Sequence, residues 1–217
     1  MRSQAATASR PEAIVIVFAR APVRGRVKTR LAAAIGAEAS ARLYSQLIER
    51  ALATAIAADA GAVELHCAPN ARHPFFQDLS ARLGVSLRAQ SRGNLGTRMH
   101  RALAGALRRA PLAILLGSDC PALRSADLRR AKRELASGAD AVFSPAHDGG
   151  YVLVGVRRSS AALFRGIAWG SAGVMAGTRG RLRKLGWTWR ELREVWDVDR
   201  AEDYARLRRS GLLLRRP

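Results

Sequence analysis

Two carboxylate-bearing segments, Gly117-Ser118-Asp119-Cys120-Pro121 and Asp148-Gly149-Gly150-Tyr151, flank short apolar runs that read as buried strands. Leu112–Leu116 precedes the first. Asp140–Pro145 precedes the second, and Tyr151–Val156 follows it. A carboxylate just past a core strand and followed by proline is a poor way to build a core. It is a good way to hold charge at the carboxyl edge of an α/β sheet, where open sheets bind ligands. Asp119 suits a hard cation such as Mg²⁺, which takes carboxylate and phosphate oxygens together and offsets charge on a diphosphate leaving group. Capping of the following segment is its competing role. A partner carboxylate comes from Asp197-Val198-Asp199, whose two acids share a side if the segment is extended. Asp199 could also cap the helix at Ala201.

Asp148 stands beside two residues without side chains. Gly149 and Gly150 permit positive φ and let a ligand approach the backbone, although a plain hairpin turn has the same composition. Trp169, in Trp169-Gly170-Ser171, reads as core or pocket wall. Of the four histidines only His147 lies near these segments, and none has metal-ligand spacing.

The first loop, Ala19 to Leu31, carries Arg20, Arg24, Arg26, Lys28 and Arg30, with Pro22 and Gly25 shaping it. Placed between a strand and a helical segment, it offers backbone donors and cations around an anion. It lacks the Gly-Lys-Ser/Thr unit of a Walker loop and the Gly-x-Gly-x-x-Gly of a dinucleotide site. A solvated basic loop is the alternative.

These groups need a frame, and the chain supplies one. Ala13–Phe18 reads as a fully buried first strand. Tyr44, Leu47, Ile48, Ala51, Leu52, Ala55 and Ile56 recur at helical spacing, predicting a helix from near Ala37 to before Gly61. Strands follow at Ala62–Cys67 and Val85–Ala89, with a helix around Phe75–Leu83 between them. A helix from about Thr97 to Arg109 feeds the strand before Gly117. Ser125 reads as the N-cap of Ala126–Ser137, with Gly138 closing it. Ser171 reads as the cap of a helix through about Leu185. A strand near Trp187–Leu192, the segment Val195–Val198 and a helix Ala201–Arg209 complete the chain. The alternation predicts an α/β fold with a largely parallel sheet and helices on both faces. The 217 residues fit one domain over 13–217 behind a loose tail over 1–12.

The formal charge of +20 raises a nucleic-acid partner, but 34 of the 37 basic residues are arginine and they are scattered over many helices. No dense tract or RNA-binding aromatic signature accompanies them, so nucleic acid is disfavoured as the partner. No apolar run approaches the roughly 20 residues of a membrane span. Cys67 and Cys120 form no framework and read as buried fillers, which makes the cytoplasm the expected location.

Taken together, the motifs resemble the DUF2064 family of small bacterial proteins, often named glycosyltransferase-like or selenodomain-associated transferase 1. The marks are Phe18-Ala19-Arg20-Ala21-Pro22, Gly25 to Leu31, Gly93 to Met99, Gly117 to Pro121, Asp148 to Tyr151, Trp169-Gly170 and Asp197 to Asp199, so the resemblance runs from about Ile14 to Leu207. It implies the nucleotide-diphospho-sugar transferase (GT-A) fold, a single-domain three-layer αβα sandwich on a mostly parallel mixed sheet. It also implies nucleotide-binding roles for Arg20, Gly25, Lys28, Arg30, Gln90, Gly96 and Thr97, the Gln90–Thr97 loop facing the base. Asp119 and Asp199 would hold the divalent metal, Mg²⁺ or Mn²⁺. Asp148 would be the catalytic group, and Gly149, Gly150, Tyr151 and Trp169 would line the acceptor pocket. The chain departs from the family pattern at Arg24 (commonly proline), at Asn94 and Thr97 (commonly acidic), at Ser171-Ala172 (usually Thr-Asp) and at Arg200-Ala201 (usually Thr-Pro). The changes near Asn94 and Ala172 bear on the acceptor more than on the metal.

The expected activity is metal-dependent transfer of a glycosyl group from a nucleotide sugar to a small-molecule acceptor, Asp148 orienting the acceptor or acting as base. The rival is nucleotidyl transfer, in which a phosphorylated small molecule attacks an NTP and pyrophosphate leaves. A nucleotide-binding protein without catalysis is the third reading.

Overall fold

The computed structural model describes residues 10–212. Its centre is a seven-stranded sheet in the order β3-β2-β1-β4-β6-β5-β7. The strands are β1 (Ala13–Arg20), β2 (Ala62–Ala68), β3 (Ser86–Ala89), β4 (Leu112–Gly117), β5 (Ala141–Pro145), β6 (Tyr151–Val156) and β7 (Trp189–Glu191). All pairings are parallel except those of β6, which runs antiparallel to both β4 and β5. The start of β6 therefore lies at the edge where the other strands end.

The helices are α1 (Thr29–Ile35), α2 (Ala37–Ala58), α3 (Pro74–Leu83), α4 (Leu95–Leu107), α5 (Ser125–Ala136), α6 (Val174–Lys184) and α7 (Ala201–Ser210). Strand alternation sorts the core into two layers. On β1, Val15, Val17 and Ala19 face the side of α2, α3 and α5, packing with Ile48, Leu52, Phe76, Leu79 and Leu128. Ile14, Ile16 and Phe18 face the other side, with Met99 and Leu103 of α4 and Leu182 of α6. This is the three-layer αβα sandwich expected of the sequence. A third cluster, Leu31, Leu43, Leu47, Trp196, Val198 and Leu207, ties α7 and the preceding segment onto α1 and α2.

Local details differ from expectation. Ser125 does not cap α5: its hydroxyl donates to the Thr54 carbonyl (3.1 Å), and Asp127 reaches back to accept from the Arg124 amide (2.8 Å). Ser171 does not cap α6 either, because that helix starts only at Val174. The Ser171 hydroxyl instead accepts from the Gly173 amide (3.3 Å) and donates to the Ala168 carbonyl (2.8 Å), closing a turn. Of the tail expected over 1–12, residues 1–9 lie outside the described residues. Arg10 donates to the Arg109 carbonyl (3.0 Å) and Glu12 meets Lys132 (2.7 Å). Among the described residues no helix is long and apolar enough to cross a membrane.

Candidate active site

A cleft of about 490 Å³ opens at the carboxyl edge of the sheet, lined on one side by Asp119, Asp148, Asp197 and Asp199. The four acids arrive from three connections, Asp197 and Asp199 sharing the one between β7 and α7. Asp119 follows β4, and its carboxylate caps no helix; it accepts from Lys28 Nζ at 2.8 Å. Lys28 is held for this by an unusual backbone, since it adopts the left-handed region (φ 46, ψ 44) just before α1. Val27 beside it is buried and anchors the loop. The Lys28 side chain is only 7% exposed, whereas that of Asp119 is 37% exposed, toward the cleft. Burial works against ionisation of both. The mutual attraction prevails, holding Asp119 below the usual carboxylate range and Lys28 above the usual lysine range.

Asp197 and Asp199 flank Val198, which is fully buried and whose amide donates to the Asp119 carbonyl at 2.9 Å. Asp199 meets Arg30 at 2.9 Å. It does not cap α7; Asp203 accepts from the amides of Asp199 (3.0 Å) and Arg200 (2.8 Å). Burial, followed by the charges of Asp119 and Asp148, pushes the Asp197 carboxyl up to about 6. Crowded acids of this kind are eased by a cation. Among the described residues no three His, Cys, Asp or Glu side chains close into a complete cage. The set fits an ion that keeps water and takes phosphate oxygens beside one or two carboxylates.

Asp148 lies in the turn between β5 and β6, exposed, with Oδ1 accepting from the Gly150 amide at 2.9 Å. Gly150 lines the cleft. Gly149 does not: the backbone that approaches it belongs to Ala172, whose carbonyl a Cβ would strike, and its φ is 84. Its carbonyl accepts from the Met175 amide (2.8 Å), locking the turn to α6. His147 turns away, its Nδ1 meeting Arg206 (3.3 Å).

The rings of Tyr151 and Trp169 form a wall, edge to face at 6.2 Å. The Tyr151 hydroxyl is buried away from any partner, and burial raises its pKa well above the usual tyrosine range. Trp169 packs against Gly96, where a Cβ would come within 2.8 Å of the indole. Thr97 does not line the cleft; its amide donates to Oδ1 of Asn94, the N-cap of α4. Gln90 lines the cleft, but its Nε2 already donates to the carbonyls of Ala19 (3.0 Å) and His66 (2.8 Å). Arg20 and Arg30 line the cleft; Lys28 lines the groove continuous with it, and Gly25, in an exposed turn with φ 74, lines neither.

Tyr44 and Arg98 were not singled out from the sequence. Tyr44, one of the apolar-face residues of α2, is within hydrogen-bond reach of Ser118 Oγ (3.0 Å) and accepts from the Arg20 amide (3.1 Å), joining the ends of β1 and β4. Neither cysteine is poised to react, since burial pushes each thiol up to about 12.

Residues 51–171 match the DUF2064 family, described as uncharacterized protein conserved in bacteria. The chain belongs to this family. The DUF2064 chain is similar to a crystal structure from Desulfovibrio desulfuricans G20, provisionally called a nucleotide-diphospho-sugar transferase. Identity is 30%, the TM-score 0.84, and the match covers 92% of this chain and 87% of that one. A CMP:2-keto-3-deoxy-manno-octonic acid synthetase complexed with CTP shares the fold at 12% identity and TM-score 0.60, over 92% and 98% of the two chains. So does glucosyl-3-phosphoglycerate synthase from Mycobacterium tuberculosis, in complex with Mn²⁺, UDP and glucosyl-3-phosphoglycerate. There identity is 12% and the TM-score 0.53, over 92% and 76%. No curated protein sequence matches this DUF2064 chain.

Proposed function

We propose that the chain is a metal-dependent transferase that binds a nucleotide sugar and passes its glycosyl group to a small-molecule acceptor. The observation that carries this reading is the Lys28–Asp119 pair set beside Asp197 and Asp199 at the carboxyl edge of the sheet. It combines buried cationic charge for phosphate with carboxylates for a cation. The nucleotide-diphospho-sugar transferase fold supports the same chemistry.

In this reading Asp119 and Asp199 would hold Mg²⁺ or Mn²⁺, with Asp197 adjacent. The bound cation would supply charge neutralisation for a departing diphosphate. Lys28 and Arg30 would donate charge-assisted hydrogen bonds to the phosphate oxygens, each leaving the carboxylate it now meets. The Trp169 and Tyr151 rings would exclude water from one wall. Asp148, exposed in its turn, would orient an acceptor hydroxyl or take its proton. Gln90 would act by fixing the cleft floor, because its amide nitrogen is already committed to two carbonyls.

The test is product analysis with a panel of nucleotide sugars and NTPs, with and without Mn²⁺ or Mg²⁺. Metal-dependent release of nucleoside diphosphate together with a glycosylated acceptor supports the reading. Pyrophosphate release from an NTP would make the chain a nucleotidyltransferase. No metal-dependent thermal shift with any nucleotide would sink both.

A further inference from the structure

Arg20 at the end of β1 and Arg98 in the first turns of α4 line the same cleft as the four carboxylates. Arg20 ends β1, and α4, which carries Arg98, joins β3 to β4. The Arg98 guanidinium is built in. Its Nη1 donates to Gln90 Oε1 at 2.7 Å, and Gln90 is in turn fixed to carbonyls on β1 and β2. Its Nε is buried without a partner.

No carboxylate balances this pair. Glu64, the buried acid on β2, is taken by His66, Arg88 and Arg109. Elsewhere half-buried arginines find partners: Arg193 meets Asp127, and Arg50 donates to the Pro121 carbonyl at 3.0 Å. Among the described residues neither Arg20 nor Arg98 forms an ion pair. Burial, and then the nearby Arg20, hold the basicity of Arg98 below the usual arginine range. Two like charges at the wall of a cleft, one of them held by Gln90, are relieved by an oxyanion that both can bond.

We propose that Arg98 and Arg20 form an oxyanion subsite that receives a carboxylate or phosphate carried by the acceptor, so that the acceptor is an anionic small molecule. This rests on the transferase reading above, in which Lys28 and Arg30 hold the donor diphosphate. Arg20 also borders the basic loop, so the distinction turns on Arg98.

The experiment titrates inorganic phosphate, and separately malonate, against the full chain at constant ionic strength, read by calorimetry. Arg98→Gln and Arg20→Gln should each weaken one or both anions by about tenfold or more, the scale of losing a charge-assisted hydrogen bond. Arg101→Gln, on the same helix but outside the cleft, should leave them unchanged. Sensitivity of phosphate alone marks a phosphate-bearing acceptor, and of malonate alone a carboxylate. Nucleoside diphosphate with Mn²⁺ should bind Arg98→Gln within about threefold of wild type, as expected when no direct contact is lost. The inference is overturned if neither anion depends on Arg98, or if Arg98→Gln loses nucleoside diphosphate as severely as the anions. Should Arg98→Gln fail to fold, Arg98→Lys, which keeps the charge but loses the planar fork, carries the same anion and nucleotide tests. Failure of wild type to bind any nucleoside diphosphate would defeat the transferase reading while the anion titration still reports on the subsite.

Discussion

The amide of Val198 donates to the carbonyl of Asp119 at 2.9 Å, fastening a segment near the C-terminus to the end of a central strand. With Val198 buried between α1, α2 and α7, the carboxylates on either side of it are set beside Asp119. Asp119→Asn should retain the fold and abolish metal-dependent nucleotide binding. It also leaves the Lys28 ammonium, 7% exposed, without its carboxylate, a loss of about 1–3 kcal/mol in stability. Calorimetry with Mn²⁺ and nucleoside diphosphate, paired with thermal melts, checks both; wild-type affinity would move the metal site elsewhere.

Lys28 separates a specific phosphate contact from the general positive field. Lys28→Ala should weaken nucleotide binding by roughly 1.5–3 kcal/mol, the scale of hydrogen bonds to charged groups. Arg208→Ala, on the exposed side of α7, should change it little. Equal losses at the two positions would leave only the field.

Asp148 should affect turnover without affecting donor affinity. Asparagine keeps the Oδ1 that accepts from the Gly150 amide, so Asp148→Asn preserves the turn while removing the base. Turnover should fall roughly 10²–10⁴-fold, the range for losing general acid–base help, with donor affinity unchanged. Steady-state kinetics beside equilibrium binding checks this. A proportional loss of both would put Asp148 in the donor or metal site.

A fourth expectation concerns acid stability. Burial opposes ionisation of Glu64, but hydrogen bonds from His66, Arg109 and Arg88 outweigh it and hold the carboxyl far below the usual range. A depressed pKa in the folded state stabilises above the unfolded value of roughly 4.3, and that contribution is lost as pH falls. Glu64→Gln should therefore lower the melting temperature most at pH 7, the gap to wild type shrinking below about pH 4. A gap independent of pH would mean that the carboxylate charge contributes nothing.

The sheet was legible because β1, β4 and β6 are buried on both faces and their apolar runs are unbroken. The long periodic face of α2, from near Ala37 to before Gly61, was equally plain. Caps were less so, because several side chains can reach a helix start. Ser125 loses to Asp127, and Ser171 is used in a turn three residues before α6. Helical periodicity marks Tyr44 only as buried and is silent on where its hydroxyl goes. Arg98 was hidden for a different reason: in a chain with 37 basic residues, only the missing partner marks one arginine out, and a missing partner is visible only in three dimensions. Their places at strand edges and beside glycines brought Asp119 and Asp148 forward, and the need for a partner carboxylate brought Asp199; the strand order explains why they share one cleft.

The reversed direction of β6 has a consequence for divergence among related chains. Parallel neighbours are joined by helical crossovers, so altering one displaces a helix and the layer beneath it. The link from β5 to β6 is a hairpin instead of a crossover, and its tip carries Asp148 into the cleft. Gly149 there is not free to change, because its φ is 84, a Cβ would strike Ala172 and its carbonyl holds the Met175 amide. The exposed side chains of His147 and Asp148 meet no such packing limit. Side chains at that tip can thus change without moving β1, β4 or the basic loop, so long as the glycine that meets α6 stays.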